Sequence, residues 1–206
     1  MTSMLLKRIV DIALSALALL WLSPLLIVVA LAVWLESGQP ILFRQERVGL
    51  RFSRFHILKF RTMRVQSDRP LVTVAGDKRI SKIGRFLRLT KMDELPQFWN
   101  VLRGDMSVVG PRPELPVYVE FYKERYRSIL AVRPGITDIA SIYFRNEEAI
   151  LAQSRDPLCE YRECILPAKL DLADKYIQER SVRGDFAIIA RTAIATVCPG
   201  VWLREN

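Results

Sequence analysis

Cysteine and histidine are scarce in this 206-residue chain, with three of the first and one of the second, His56. That scarcity excludes a disulfide-stapled scaffold and leaves no Cys/His set for a zinc site. Cys159 and Cys164 have no partner pair at metal-site spacing and are expected on a helix, at its surface and in its core. His56 is expected to be a strand residue without a catalytic role. There is no glycine-rich phosphate loop of the P-loop or dinucleotide type, no internal repeat and no low-complexity tract. Half of the residues are apolar and 26% are charged, which excludes a disordered tail.

Lys and Arg outnumber Asp and Glu by 31 to 22, a net charge of +9, yet the mean hydropathy is positive at +0.14. A basic soluble domain is not hydrophobic on average, so the two properties must be segregated along the chain. Residues 1–36 carry Lys7, Arg8, Asp11 and Glu36 and sum to zero. Residues 44–91 carry fourteen Lys/Arg against Glu46, Asp68 and Asp77, a net +11. Residues 146–206, with eight basic and ten acidic side chains, stand at −2. The charge is one central block and the apolar excess is N-terminal.

From Ile12 to Leu35 there are 24 positions without a charged residue. At ~1.5 Å per residue such a helix is long enough for a hydrocarbon core of roughly 30 Å. Ser23-Pro24 falls at its centre, where proline removes a backbone donor and favours a kink. Lys7 and Arg8 precede the segment; Arg44, Arg47, Arg51 and Arg54 follow it. The positive-inside rule draws both flanks to the cytoplasm. A helix that bends at Ser23-Pro24 and returns to the same face satisfies both, with a kinked single span as the alternative. Ala30-Leu31-Ala32 imitates a signal-peptidase site, but the stretch is long for an h-region of ~7–15 residues and Asp11 sits inside its start.

Ile41–Arg47 and Phe55–Thr62 alternate around Gly49 and predict a two-stranded hairpin. Residues 64–78 are polar and turn-rich, a loop. Ile80, Ile83, Phe86, Leu87 and Leu89 space as one helical face ringed by Arg79, Lys82, Arg85 and Arg88. A helix is expected from near Asp93, with Pro96 in its first turn, to Gly104. Met106–Pro116 holds three prolines and reads as a rigid loop. Pro116–Leu130 and about Leu158–Arg180 read as helices. Phe186–Leu203 contains Arg191 and Pro199-Gly200; it is expected as a core or interfacial amphipathic helix, since a central Arg costs ~2.5–3.5 kcal/mol in a span.

Asp93-Glu94 is the pair that could carry chemistry. Adjacent carboxylates at a helix start can simply complement the helix dipole, with Asp93 as an N-cap. The same N–H groups and dipole can instead keep Asp93 ionised as a nucleophile or metal ligand. The neighbours favour the second use. Arg79, Lys82, Arg85 and Arg88 come just before, and Arg112 follows in the stiff Gly110-Pro111-Arg112-Pro113. Arginine binds phosphate oxygens in bidentate fashion. A carboxylate pair among arginines points to a phosphorylated, acidic substrate with a divalent ion offsetting charge.

Phe60-Arg61-Thr62-Met63, Asp93-Glu94-Leu95-Pro96-Gln97, Asn100-Val101-Leu102-Arg103-Gly104-Asp105-Met106-Ser107, Val109-Gly110-Pro111-Arg112-Pro113 and Arg133-Pro134-Gly135-Ile136-Thr137 occur in this order. With them the chain resembles the bacterial sugar transferases, specifically the small monotopic phosphoglycosyl transferases that start glycan assembly on polyprenyl phosphate. The resemblance extends over nearly the whole chain and suggests the minimal catalytic form of the family. It implies a mostly α fold with a small β-hairpin. Residues 1–37 would be a re-entrant membrane helix broken at Ser23 and Pro24, and residues 38–206 a cytoplasmic catalytic domain with interfacial amphipathic helices. The place implied is the cytoplasmic face of the bacterial inner membrane.

By the same resemblance, Asp93 attacks the β-phosphorus of a UDP-sugar, releases UMP and becomes a phosphosugar–aspartate. Polyprenyl phosphate then takes the phosphosugar. Mg²⁺ would screen the diphosphate, held by Asp93 and Glu94, with Glu94 either a metal ligand or the base of the second half-reaction. Arg88, Arg112, Lys59 and Arg145 would hold phosphates, although Arg145 could instead pair with its acidic neighbours. The implied partners are the UDP-sugar, polyprenyl phosphate, membrane lipids and a second copy of the chain in a homodimer.

The chain departs from the family pattern at Asp138-Ile139-Ala140-Ser141, where Gly, an aromatic or apolar residue and Ala-Gln would be expected, and at Lys91-Met92. The alternation of Phe43-Arg44, Phe52, Arg54-Phe55 and Lys59-Phe60-Arg61 imitates a nucleic-acid surface. A half-buried strand beside an anionic leaflet explains it equally, so no nucleic-acid partner is expected. The sugar and the glycan pathway are not legible in the sequence.

Overall fold

The computed structural model describes residues 2–64 and 72–197. Residues 65–71 of the polar loop, Cys198, and the Pro199-Gly200 end of the last apolar stretch lie outside the described residues.

Thr2–Ser37 forms one helix, α1, roughly 54 Å long at ~1.5 Å per residue. At the hinge expected at Ser23-Pro24 the helix is not interrupted: α1 runs through Pro24. The local chemistry explains how. Pro24 has no N–H for the carbonyl of Leu20, four residues back. The hydroxyl of Ser23 donates to that carbonyl instead, at 2.8 Å. In apolar surroundings an unfilled carbonyl costs several kcal/mol, so the serine lets the helix carry its proline.

Both ends of α1 are tied to the rest of the molecule. Near its start, Lys7 pairs with Asp185 and Arg8 donates to the carbonyls of Val101 and Leu102. Asp11, buried, accepts from the Val108 N–H at 3.1 Å and the Ser107 hydroxyl at 2.7 Å. Toward its end, Val29 and Val33 are buried with Phe60 and Leu87. Glu36 accepts from the N–H groups of Lys82 and Ile83, and the buried Arg61 donates to the carbonyls of Ser37, Gly38 and Gln39. Between these ends Leu17, Leu20, Trp21, Ile27, Val28 and Leu31 are each more than half exposed.

The expected hairpin is present as β1 (Leu42–Val48) and β2 (Arg54–Phe60), antiparallel, with Phe43 opposite Lys59 and Arg47 opposite Phe55. Strand residues alternate between faces, which puts Lys59 on the side of the buried Phe55 and Ile57. His56 is an exposed residue of β2. Next, α2 (Lys82–Thr90) starts on Ser81, whose hydroxyl accepts from the Gly84 N–H at 2.9 Å. Lys91, left-handed at φ 57°, ends α2 and swings the chain into a 3-10 turn, Met92–Glu94. The helix α3 (Gln97–Arg103) follows and stops at Gly104, φ 96°.

The supposed rigid loop holds a strand. β3 (Ser107–Val109) pairs in parallel with β4 (Gly135–Thr137), Ser107 facing Gly135 and Val109 facing Thr137. Gly110 and Gly135 touch main chain to main chain: a Cβ on Gly135 would stand 2.2 Å from the Gly110 nitrogen. The expected helix over 116–130 is divided at Tyr122 into α4 (Pro116–Phe121) and α5 (Lys123–Ile129). Two short helices then appear where none was expected, α6 (Ile139–Tyr143) and α7 (Glu147–Gln153). α8 (Pro157–Glu160), a π-helical turn (Tyr161–Ile165) and α9 (Leu166–Glu179) fill the next expected helix. Cys159 and Cys164 are both exposed there, neither of them in the core.

Last comes α10 (Val182–Val197). It buries Asp185, Ile188 and Ala195 and exposes Phe186, Arg191 and Ile194, the expected two-faced helix. One apolar core gathers Leu115, Tyr118, Tyr126, Leu151, Leu166 and Leu170; another gathers Ile57, Val101, Met106, Val109, Tyr176 and Ile188. The described chain is thus mostly helical, with two two-stranded sheets.

Candidate active site

Asp93 and Glu94 sit on the 3-10 turn between α2 and α3, and their surroundings differ. Asp93 is buried, and its Oδ1 has no hydrogen-bond partner among the described residues. It caps no helix: neither the turn nor α3 has a side-chain cap bond. The capping reading therefore falls. So does the expectation that helix N–H groups keep Asp93 ionised. Burial raises its carboxyl above the ordinary value and the neighbouring Glu94 adds to the rise, against the pull of Lys59, Lys91 and Arg88.

Glu94 is the opposite case. Its Oε1 accepts from Lys59 Nζ at 2.7 Å, and Arg112 grips both carboxylate oxygens. Burial alone would raise its carboxyl, but Arg112 and Lys59 outweigh burial and hold it well below the usual range. In return, Glu94 drives the Arg112 guanidinium up, and burial pulls Lys59 down despite Glu94. Two adjacent carboxyls pushed in opposite directions are the pattern of a site that divides tasks between them.

The parallel β3–β4 pair positions Arg112, because the close contact of Gly110 and Gly135 fixes the start of its loop. Asp138, part of the departure from the family pattern, has a structural use. One carboxylate oxygen caps α6 through the Ser141 N–H at 2.7 Å, and the other accepts from the Arg112 N–H at 3.1 Å. Glu114 anchors the far end of the loop, buried against Tyr161 Oη at 2.6 Å and Arg47 at 3.3 Å. Arg47 also donates to the Pro113 carbonyl.

A cavity of about 590 Å³ joins these residues. Lys59, Arg88, Asp93, Glu94, Arg112 and Arg145 all line it, so every residue expected at the site from the sequence is brought together there. Ser23 and Pro24, the expected hinge, lie elsewhere, in the middle of α1. Arg88 is paired with Glu148 and reaches Thr62 Oγ1 at 3.4 Å. Arg145 makes no ion pair with its acidic neighbours, because Glu147 is taken by Lys169 and Glu148 by Arg88. Among the described residues it hydrogen-bonds to the Leu89 carbonyl, at 3.4 Å.

Sequence reasoning missed Glu114, Lys169, Glu147 and Glu148 as cavity residues. Glu114 directly follows the Arg112 loop and Glu147-Glu148 follow Arg145, which was the available signal. Lys169, in α9, gave none. Among the described residues no group of three His, Cys, Asp or Glu side chains converges on a metal position. A Mg²⁺ ion seldom needs such a cage; one or two carboxylates with substrate phosphate oxygens suffice. Asp93, whose buried Oδ1 has no partner among the described residues, fits that use, whereas Glu94 would have to exchange a cation for it.

The sequence model of the family described as bacterial sugar transferase matches residues 2–199. The chain is 47% identical over 141 residues to a UDP-glucose:undecaprenyl-phosphate glucose-1-phosphate transferase of Caulobacter vibrioides, covering 66% of this chain and 53% of the relative. A protein of the same name from Escherichia coli is 42% identical over 193 residues, covering 91% of this chain and 39% of the relative. A UDP-N-acetylgalactosamine-undecaprenyl-phosphate N-acetylgalactosaminephosphotransferase of Aeromonas hydrophila is 41% identical over 143 residues, covering 66% of this chain and 33% of the relative. The chain thus spans from a third to about half the length of these relatives. With the family match extending from α1 through α10, the chain belongs to the bacterial sugar transferase family.

Proposed function

We propose that this protein transfers a phosphosugar from a UDP-sugar to polyprenyl phosphate, with Asp93 as the nucleophile. The observation that carries the proposal is the unequal pair: a buried Asp93 oxygen without a partner beside a Glu94 held by two cations, in a cation-lined cavity. Asp93 attacks the β-phosphorus; the bond to the bridging oxygen breaks and UMP leaves. An oxygen of polyprenyl phosphate then attacks the same phosphorus and frees Asp93, giving polyprenyl-diphospho-sugar. Burial, by raising the Asp93 carboxyl, makes its ionised form a better nucleophile. Glu94 fixes Lys59 and Arg112 where phosphate oxygens would arrive, and Arg88 and Arg145 extend that cationic wall. A Mg²⁺ ion held by Asp93 and Glu94 with the substrate's phosphates would supply charge neutralisation.

The docking of both α1 ends on one body of protein supports a monotopic placement. A straight span would carry Lys7, Arg8 and Asp11 to the far side of the bilayer and break their contacts with Asp185, α3 and β3. The exposed apolar middle of α1 would then enter one leaflet of the inner membrane, with residues 38–206 on the cytoplasmic face.

The test is a UMP-release assay with UDP-sugar, polyprenyl phosphate and Mg²⁺. The names of the relatives make UDP-glucose and UDP-N-acetylgalactosamine the first donors to try. Asp93→Asn is expected to lower UMP release by at least about 10³-fold without lowering the melting temperature. Turnover retained in that variant would remove the covalent route.

A further inference from the structure

Six basic side chains on the cavity wall are occupied by carboxylates: Lys59 and Arg112 by Glu94, Arg47 by Glu114, Arg79 by Asp77, Lys169 by Glu147, and Arg88 by Glu148. These pairs differ in how firmly they are built. Lys169, its side chain 13% exposed, lies over the rings of Tyr161 and Phe144 at 4.9 and 5.8 Å, so its pair with Glu147 is fixed by packing. The Glu148 side chain is 41% exposed and has Arg88 as its recorded ion-pair partner. Its main chain is held separately: the Glu148 carbonyl accepts from the Ala75 N–H at 2.9 Å. The carboxylate can therefore swing into solvent while α7 stays in place.

An ion pair this exposed contributes little, because water and salt screen it and two long side chains must be ordered to make it. An arginine–phosphate contact is charge-assisted and can be bidentate, as the carboxylate pair is, and a diphosphate adds more negative charge than one half-exposed carboxylate, which lets it compete for the same guanidinium. We propose that Glu148 is a carboxylate stand-in for a substrate phosphate: it holds Arg88 on the cavity wall and is displaced when a phosphoryl group binds. The inference rests on the phosphosugar-transfer reading of the cavity. The displaced position belongs to the donor's diphosphate; the lipid acceptor carries the same chemistry and is separated from it by the test.

The test varies UDP-sugar and polyprenyl phosphate independently with the full chain in bilayers. Glu148→Gln is expected to lower the KM for UDP-sugar about two- to fivefold, with the change in KM and not in kcat. Glu147→Gln removes the same charge one residue away and leaves that KM unlowered. In an Arg88→Ala background Glu148→Gln has no further effect, the mark of a coupled pair. A fall in the KM for polyprenyl phosphate alone would give the displaced position to the acceptor. An unchanged or raised KM for both substrates would overturn the proposal and make Glu148 a residue that positions Arg88. Calorimetry with inorganic pyrophosphate gives a readout free of turnover. Tighter pyrophosphate binding by Glu148→Gln, with no UMP released by the parent protein, would keep the stand-in and discard the phosphosugar-transfer reading.

Discussion

The N-terminal helix and the cavity use charge in opposite ways. In α1 the charges are few and placed at the two ends, where Lys7, Arg8, Asp11 and Glu36 each meet a matched partner on the folded body. Those contacts fix where the helix lies and leave its middle bare. In the cavity cations abound, and one of them, Arg88, is paired with a half-exposed carboxylate, Glu148. Buried, matched charges hold an element in place; a half-exposed pair leaves its cation able to change partner. The central basic block, net +11 over residues 44–91, supplies Lys59 and Arg88 to that cavity wall.

The largest effect that could break this comparison is all-or-none. Single cysteines at Leu5 and Gln39, in a chain lacking Cys159, Cys164 and Cys198, are expected to react with a membrane-impermeant reagent from the cytoplasmic side alone. Labelling of either from the opposite side would mean that the end contacts of α1 do not survive in the bilayer.

Smaller but still large is the cost of removing one anchor. Asp11→Ala strands the Val108 N–H and takes a partner from the Ser107 hydroxyl, both buried. It is expected to cost about 2–4 kcal/mol, read as a lower melting temperature with activity per folded molecule retained. An unmoved melting temperature would show that α1 is not held at its base.

The smallest effect is a separation in pH. Asp93 has its carboxyl raised in the fold, so UMP release should fall as pH drops through a value above the ordinary 3.8, while protonation of Asp93 relieves rather than harms the fold. Glu94 has its carboxyl lowered, so its contribution to stability is present above the ordinary 4.5 and is lost only as pH falls toward its much lower folded value. Activity should therefore decline at a higher pH than the melting temperature, the acid limb belonging to the pair. A parallel decline of both would sink the division of tasks between the two carboxyls.

Local signals made much of this legible in advance. The apolar run gave α1, two-residue alternation gave β1 and β2, and the spacing of Ile83, Phe86 and Leu87 gave α2. The β3–β4 pair escaped because its strands are three residues each and lie about 25 residues apart. The helices α6 and α7 escaped because they are short and lean on Asp138 and on pairs with Lys169 and Arg88 that only tertiary packing supplies. Motif order placed Asp93, Glu94, Arg88 and Arg112 in one site. It could not show which carboxylate is saturated and which is bare, because that depends on Lys59 arriving from β2 and Arg112 from the loop after β3.

The hydrogen bond from Ser23 to the Leu20 carbonyl has a consequence for how such a helix can change over time. A serine at position 23 is harmless whether or not a proline follows it. A proline at 24 without that serine leaves an open carbonyl in the most apolar part of the chain. Replacing Pro24 first is therefore the tolerated route, and replacing Ser23 while Pro24 remains is the costly one. Proline 24 is the dependent member of the pair, and serine 23 is its licence.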